Sequence, residues 1–191
     1  VLAKENGIYG FAMFYYQTRS RLRKNHIELI LNDPTINVKF FYCWDNANSL
    51  RSWDGHPENE NIFMEQEYSE LALFGVVEDV AIAAQDPNYI TVKGDPVFMI
   101  NSLAHIPELS STLTWLREKL LERTGRNFRI GTRWCLTCQD ESDKFVDFVV
   151  QSPPSQIRGE ELPIIRESEN QRQAYLQDIY WMKEQSITNI N

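Results

Sequence analysis

VKFFYCWDNANSLRSWDG, residues 38–55, has two unlike halves. Its first seven residues, 38–44, are apolar almost without a break, as a strand buried on both faces of a parallel sheet must be. Residues 43–55 then gather two tryptophans, two asparagines, two aspartates and an arginine. Folding alone does not call for that mixture. The stretch therefore predicts a core strand whose C-terminal end opens into a loop built to hold something.

Working outward, similar strands recur at 8–16 (IYGFAMFYY), 97–101 (VFMIN), 128–134 (FRIGTRW) and 147–151 (DFVVQ). Helical segments separate them. Thr18 or Ser20 can cap a helix with the apolar stripe Leu22, His26, Leu29 and Ile30, ended by Asn32-Asp33-Pro34. Ser69 can cap a second that reaches about Ala84 and stops at Asp86-Pro87. Ile90 to Val92 and a Lys93-Gly94-Asp95 turn precede the third core strand. Ile106 to Arg123 predicts a further helix, with Gly125 as its stop.

Alternating strands and helices argue an α/β fold with a parallel sheet. About five βα units form either an open doubly wound parallel sheet or a consecutive slice of a (β/α)8 barrel, which takes ~250 residues. Both stay open on pattern alone. Both also gather binding residues at the C-terminal ends of strands, where Tyr15, Tyr16, Trp44, Asn101, Arg133 and Trp134 fall. The folded domain is expected over residues 1–157. From 158 to 191 the chain is a polar tail with one amphipathic helix, 171–185, carrying Tyr175, Ile179 and Met182 on one side.

The 191 residues carry 19 basic against 27 acidic side chains, a net charge of -8. Such a surface repels phosphate backbones, so nucleic acid is not an expected partner. No apolar run reaches the ~18 residues of a membrane span. Three cysteines are too few for a disulfide framework and suit a reducing, cytoplasmic setting.

The loop chemistry suits a sugar. An indole covers the C–H face of a pyranose, and each tryptophan can bury ~150–250 Å². Asparagine and glutamine amides donate and accept together, which matches hydroxyls that do both. Arginine and aspartate add charge-assisted bonds. The expected substrate-binding residues are Tyr15, Tyr16, Trp44, Asn46, Asn48, Arg51, Trp53 and Gln66, with Asp45 and Asp54 as the candidate carboxylates and Glu65 behind them. The bland alternative is that Trp44 and Trp53 cap the sheet while the asparagines form turns.

The segment resembles the signature of the glycosyl hydrolase family 99-like, or WbsX-type, domain of polysaccharide-biosynthesis proteins. Cys43, Trp44, Asn46, Asn48, Arg51, Trp53, Asp54 and Gly55 keep the register of that motif. Gly10-Phe11, Tyr15-Tyr16, Glu65-Gln66-Glu67-Tyr68, Asp86-Pro87-Asn88-Tyr89-Ile90, Gly94, Trp115-Leu116-Arg117 and Pro153-Pro154 agree with it in order. The resemblance implies a (β/α)8 barrel, incomplete here, that handles an oligosaccharide or polysaccharide, as hydrolase or transferase or as a derived binding module. The chain departs at Ala47, where that family carries Glu, and at Ser49 and Ser52, where it carries Trp and Arg. Glycoside cleavage typically uses two carboxyl groups at a set separation, and 154–191 holds no match to the late carboxylate segment of such hydrolases.

Other motifs point less far. Cys135 and Cys138 have CxxC spacing, but a structural zinc takes four ligands, so neither a metal nor another cofactor is expected. Arg19, Arg21, Arg23 and Lys24 read as a solvated helix face, and His26 as a half-buried histidine on an apolar stripe.

Overall fold

The computed structural model describes residues 2–17, 28, 30, 31, 33, 35–50, 62–133 and 144–150. Their elements are, in order, α1 (Leu2–Glu5), β1 (Gly10–Tyr15), β2 (Lys39–Trp44), β3 (Ser49–Leu50), β4 (Ile62–Met64), α2 (Glu70–Ala83), β5 (Thr91–Val92), β6 (Asp95–Ile100), α3 (Leu109–Thr124), β7 (Arg129–Arg133) and β8 (Phe148–Val150). Of the expected helix after Thr18 only residues 28, 30 and 31 are described, all helical, and the CxxC pair and the tail from 158 lie outside the described residues.

The apolar runs became strands of one sheet, buried on both faces at its centre in β6 and largely exposed at its edges in β1 and β8. β1, β2, β6, β7 and β8 make one parallel sheet in that order. A doubly wound sheet would reverse its strand order at a switch point and carry helices on both faces. Here each strand is laid outside the last. Tyr15, Phe40, Tyr42, Trp44, Phe98, Ile100 and Ile130 pack on one side against Val76, Val77 and Val80 of α2 and Leu113, Leu116 and Leu120 of α3. Both helices therefore cover the same face. The open doubly wound alternative is excluded, and the chain is α/β of barrel type, with a sheet that does not close among the described residues.

Local chemistry sets the element ends. The Ser69 hydroxyl accepts a hydrogen bond from Ala72 N–H at 3.3 Å and starts α2. Gly125, at φ 69°, ends α3 in the left-handed region. α3 begins at Leu109 rather than Ile106 because Pro107 forces the residue before it into extended backbone, and Ile106 lies at φ -84°, ψ 118°. Lys93 and Gly94, both at positive φ, form a two-residue hairpin turn from β5 into β6. The stretch after Trp44 is not all loop, since β3 pairs antiparallel with β4.

The opposite face of the sheet presents Ala12, Phe14, Phe41, Cys43, Met99, Gly131 and Phe148 by strand alternation. There the Phe148 ring fills the space beside Gly131, where a Cβ would lie 2.2 Å from the ring. This is the side that a barrel turns inward.

Candidate functional site

A parallel sheet brings all its strand ends to one rim. Tyr16 and Gln17 follow β1, Asp45 to Asn48 follow β2, Gln66 to Tyr68 follow β4, Asn101 and Ser102 follow β6, and Arg133 ends β7. These strand ends are cross-tied through the backbone. Asp45 N–H donates to the Tyr15 carbonyl at 2.9 Å, and Asn101 N–H to the Trp44 carbonyl at 2.9 Å.

Asn46 is 1% exposed and works as a clasp rather than an open ligand contact. Its Nδ2 donates to the Ser102 carbonyl at 2.7 Å and to Tyr68 Oη at 3.1 Å, and its Oδ1 accepts from Ser102 N–H at 3.0 Å. The Tyr68 hydroxyl donates in turn to the Asn46 carbonyl at 2.6 Å. Trp44 is 0% exposed, its ring tilted against Tyr68 with centroids 5.7 Å apart. Its indole fills the core instead of offering a face to a sugar. Tyr15 stacks on Tyr42 at 5.5 Å and donates to Asp79 Oδ2 at 2.8 Å, so it points into the helix layer. Burial first, and then the Asp79 carboxylate, raises the Tyr15 pKa well above the ordinary phenol range. These side chains shape the rim from behind.

The residues that front the rim are others. Strand alternation puts Asp45, Asn101 and Arg133 on the inner side with Cys43 and Gly131. Asp45 Oδ1 accepts from Asn101 Nδ2 at 3.3 Å. Tyr16 is half-buried, its ring 6.3 Å from that of Phe14. Exposed Asn48 accepts from Gln66 N–H at 2.8 Å through Oδ1, which pins the buried Gln66 beside it. Arg51, Trp53 and Asp54 lie outside the described residues.

The rim also concentrates unmet hydrogen-bonding capacity. Among the described residues, the buried side-chain atoms without a partner are Gln17 Oε1, Trp44 Nε1, both Gln66 amide atoms and Asn101 Oδ1. Every one sits at the C-terminal end of the sheet or in a loop there. A buried polar atom left unpaired costs ~1–3 kcal/mol, and such groups ask for an explanation. Donors and acceptors are both represented, as for a ligand of hydroxyl groups.

Cys43 faces the inner side of the sheet, two residues before Asp45. Burial first, and then the Asp45 charge, pushes its thiol pKa up to about 12, with Arg133 acting in the opposite direction. At pH 8 Cys43 is expected to resist iodoacetamide in the folded chain and to label fully in denaturant, read from its own peptide by mass spectrometry. Rapid labelling in the folded chain would show the thiol to be open to solvent.

A cleft of about 490 Å³ opens at the opposite end of the strands, lined in part by Tyr9, Lys39, Asp86, Tyr89, Arg123 and Arg126. Its cations are tied down. Lys39 donates to the Pro87 carbonyl, Arg126 to the Ala84 and Gly94 carbonyls, and Arg123 pairs with Glu78. Two of those carbonyls close α2 and its following turn, so this end holds the fold together. Among the described residues, no group of three or more His, Cys, Asp or Glu side chains could hold a metal ion. No helix among them is long and apolar enough to cross a membrane.

Sequence reasoning did not find the Ser102 backbone as the Asn46 partner, nor Asp79 as the partner of Tyr15. Backbone groups leave no residue-type signal, and Asp79 is one of three acidic residues in α2, beside Glu70 and Glu78. Gln17 carried no motif either, and only its buried carbonyl oxygen marks it.

Comparison with known proteins agrees with this architecture. No curated protein matches the chain. A solved structure titled "Glycoside hydrolase-like protein" superposes with a TM-score of 0.51 at 17% identity, covering 78% of this chain and 47% of that one. The chain thus spans about half the length of that neighbour, and the likeness speaks for the fold. A family model described as "Glycosyltransferase WbsX" matches residues 1–190. With that match running along nearly its whole length, over parallel βα units, the chain belongs to the glycosyltransferase WbsX family.

Proposed function

We propose that this chain binds and orients an oligosaccharide or polysaccharide at the C-terminal rim of its sheet, within the biosynthesis or processing of that polysaccharide. The concentration of unpartnered buried donors and acceptors at that rim carries the reading. Hydroxyl groups supply both halves of such bonds, so a sugar offsets the cost of leaving them buried. In this reading Tyr16, Asp45, Asn48, Gln66 and Asn101 meet the glycan, while Tyr15, Trp44 and Asn46 hold their positions. Arg51 and Trp53, which follow in the sequence, are proposed as further contacts. Asp45 is one carboxylate, and glycosidic chemistry commonly employs two, so the role assigned to it here is to bind and orient.

The test is a titration of glycans against the full chain and two variants. Asp45→Asn and Asn101→Ala are each expected to lower affinity ~10–100-fold, the worth of a charge-assisted or buried hydrogen bond, with circular dichroism unchanged. Undiminished binding in both variants would move the glycan away from the inner rim.

A further inference from the structure

We propose that Arg133 recognises an acidic group on the glycan, a carboxylate or a phosphate ester. The proposal rests on the glycan-binding reading above and specifies the substrate class.

Arg133 ends β7, opposite Val150 of β8, and strand alternation puts it on the inner side with Gly131. Cys43 and Asp45 share that side. Trp44 pairs with Ile100 and Ile100 with Thr132, so Asp45, Asn101 and Arg133 follow one residue on across three neighbouring strands, and both charges act on the Cys43 thiol. The other arginines among the described residues are engaged. Arg117 pairs with Asp147, Arg123 with Glu78 and Arg129 with Asp95, and Arg126 donates to two carbonyls. The Arg133 side chain makes no hydrogen bond or ion pair with any described residue and is exposed, while its backbone pairs with Val150. Asp45 shares its rim, yet the two are not in contact, and Asp45 takes its hydrogen bond from Asn101 instead.

A carboxylate and a guanidinium that face one space without meeting leave room for a ligand that satisfies both. A sugar hydroxyl donates to Asp45. Arg133 needs an acceptor, and its planar fork fits a carboxylate or phosphate with two parallel bonds. A neutral sugar asks for no cation, since amides and hydroxyls serve it as well. In a chain of net charge -8, a cation with no partner among the described residues sets a local preference at this rim that opposes the overall charge.

The experiment uses the full chain against a panel of uronate-bearing, phosphate-bearing and neutral oligosaccharides of matched length. The native chain is expected to prefer acidic members, more weakly as salt rises. Arg133→Gln should lose at least tenfold in affinity for them and change its affinity for neutral members less than twofold. Arg133→Lys should keep part of the preference. A response confined to uronates identifies the carboxylate as the source, and one confined to phosphate esters the phosphate. Equal binding of acidic and neutral members, unaltered in Arg133→Gln, would overturn the proposal and leave the glycan reading intact. No binding across the panel would overturn both.

Discussion

Asn46→Ala is expected to destabilise the chain by about 3 kcal/mol, since unpaired buried groups cost ~1–3 kcal/mol each. The substitution strips partners from the Ser102 N–H, the Ser102 carbonyl and the Tyr68 hydroxyl together. Those groups belong to the loops after β6 and β4, and Asn46 joins both to the end of β2. Urea unfolding of the full chain measures the loss as a lower midpoint with an unchanged slope. Asn46→Asp keeps an acceptor for Ser102 N–H but no amide donor, so it should fall between the two. A loss under ~1 kcal/mol for Asn46→Ala would mean that water replaces the clasp without strain. Glycan affinity should fall with it, because the clasp holds the Asp45 loop in place.

Gly131→Ala is expected to be comparably harmful for the opposite reason, an added atom rather than a lost one. Its Cβ would stand 2.2 Å from the Phe148 ring, on the inner face where β7 pairs with β8. Overpacking of this kind costs ~1–3 kcal/mol, and more where neighbours cannot shift. The partner offers the check. If the clash is the cause, Phe148→Ala added to Gly131→Ala should recover part of the loss, with a coupling of ~1–3 kcal/mol in a double-mutant cycle. Additive losses would assign the cost to the strand backbone instead.

The strands were legible as short apolar runs ahead of polar turns, as in 38–44, whereas the equally apolar run 71–77 belongs to a longer segment opened by its Ser69 cap and is helical. The two helices of the described sheet were legible by their caps, Ser69 and Gly125. What pattern could not supply was the strand order, since runs of apolar residues carry no record of which neighbour they pair with. The resemblance supplied it, and the register confirmed it. The rim was legible as a place and less so as a set of contacts. Tyr15, Trp44 and Asn46 were named for chemistry that suits sugars, yet all three alternate onto the helix-facing side. Asp45 and Asn101 alternate the other way. One position of strand phase separates a core residue from one that fronts the rim, and the end of a strand is where phase is hardest to read from sequence.

The sheet order has a further consequence for how the chain reaches this fold. Successive pairings join Met13 to Tyr42, Tyr42 to Phe98, Phe98 to Ile130 and Gly131 to Phe148. Every strand docks on the one synthesised before it, so no early strand waits for a late one. Loop closure entropy grows only slowly with the length enclosed, and here it is met in instalments of one βα unit. Such a sheet can grow during translation, edge by edge, from the amino end. Among the described strands the last laid down is β8, whose Val150 pairs with Arg133 at the end of β7.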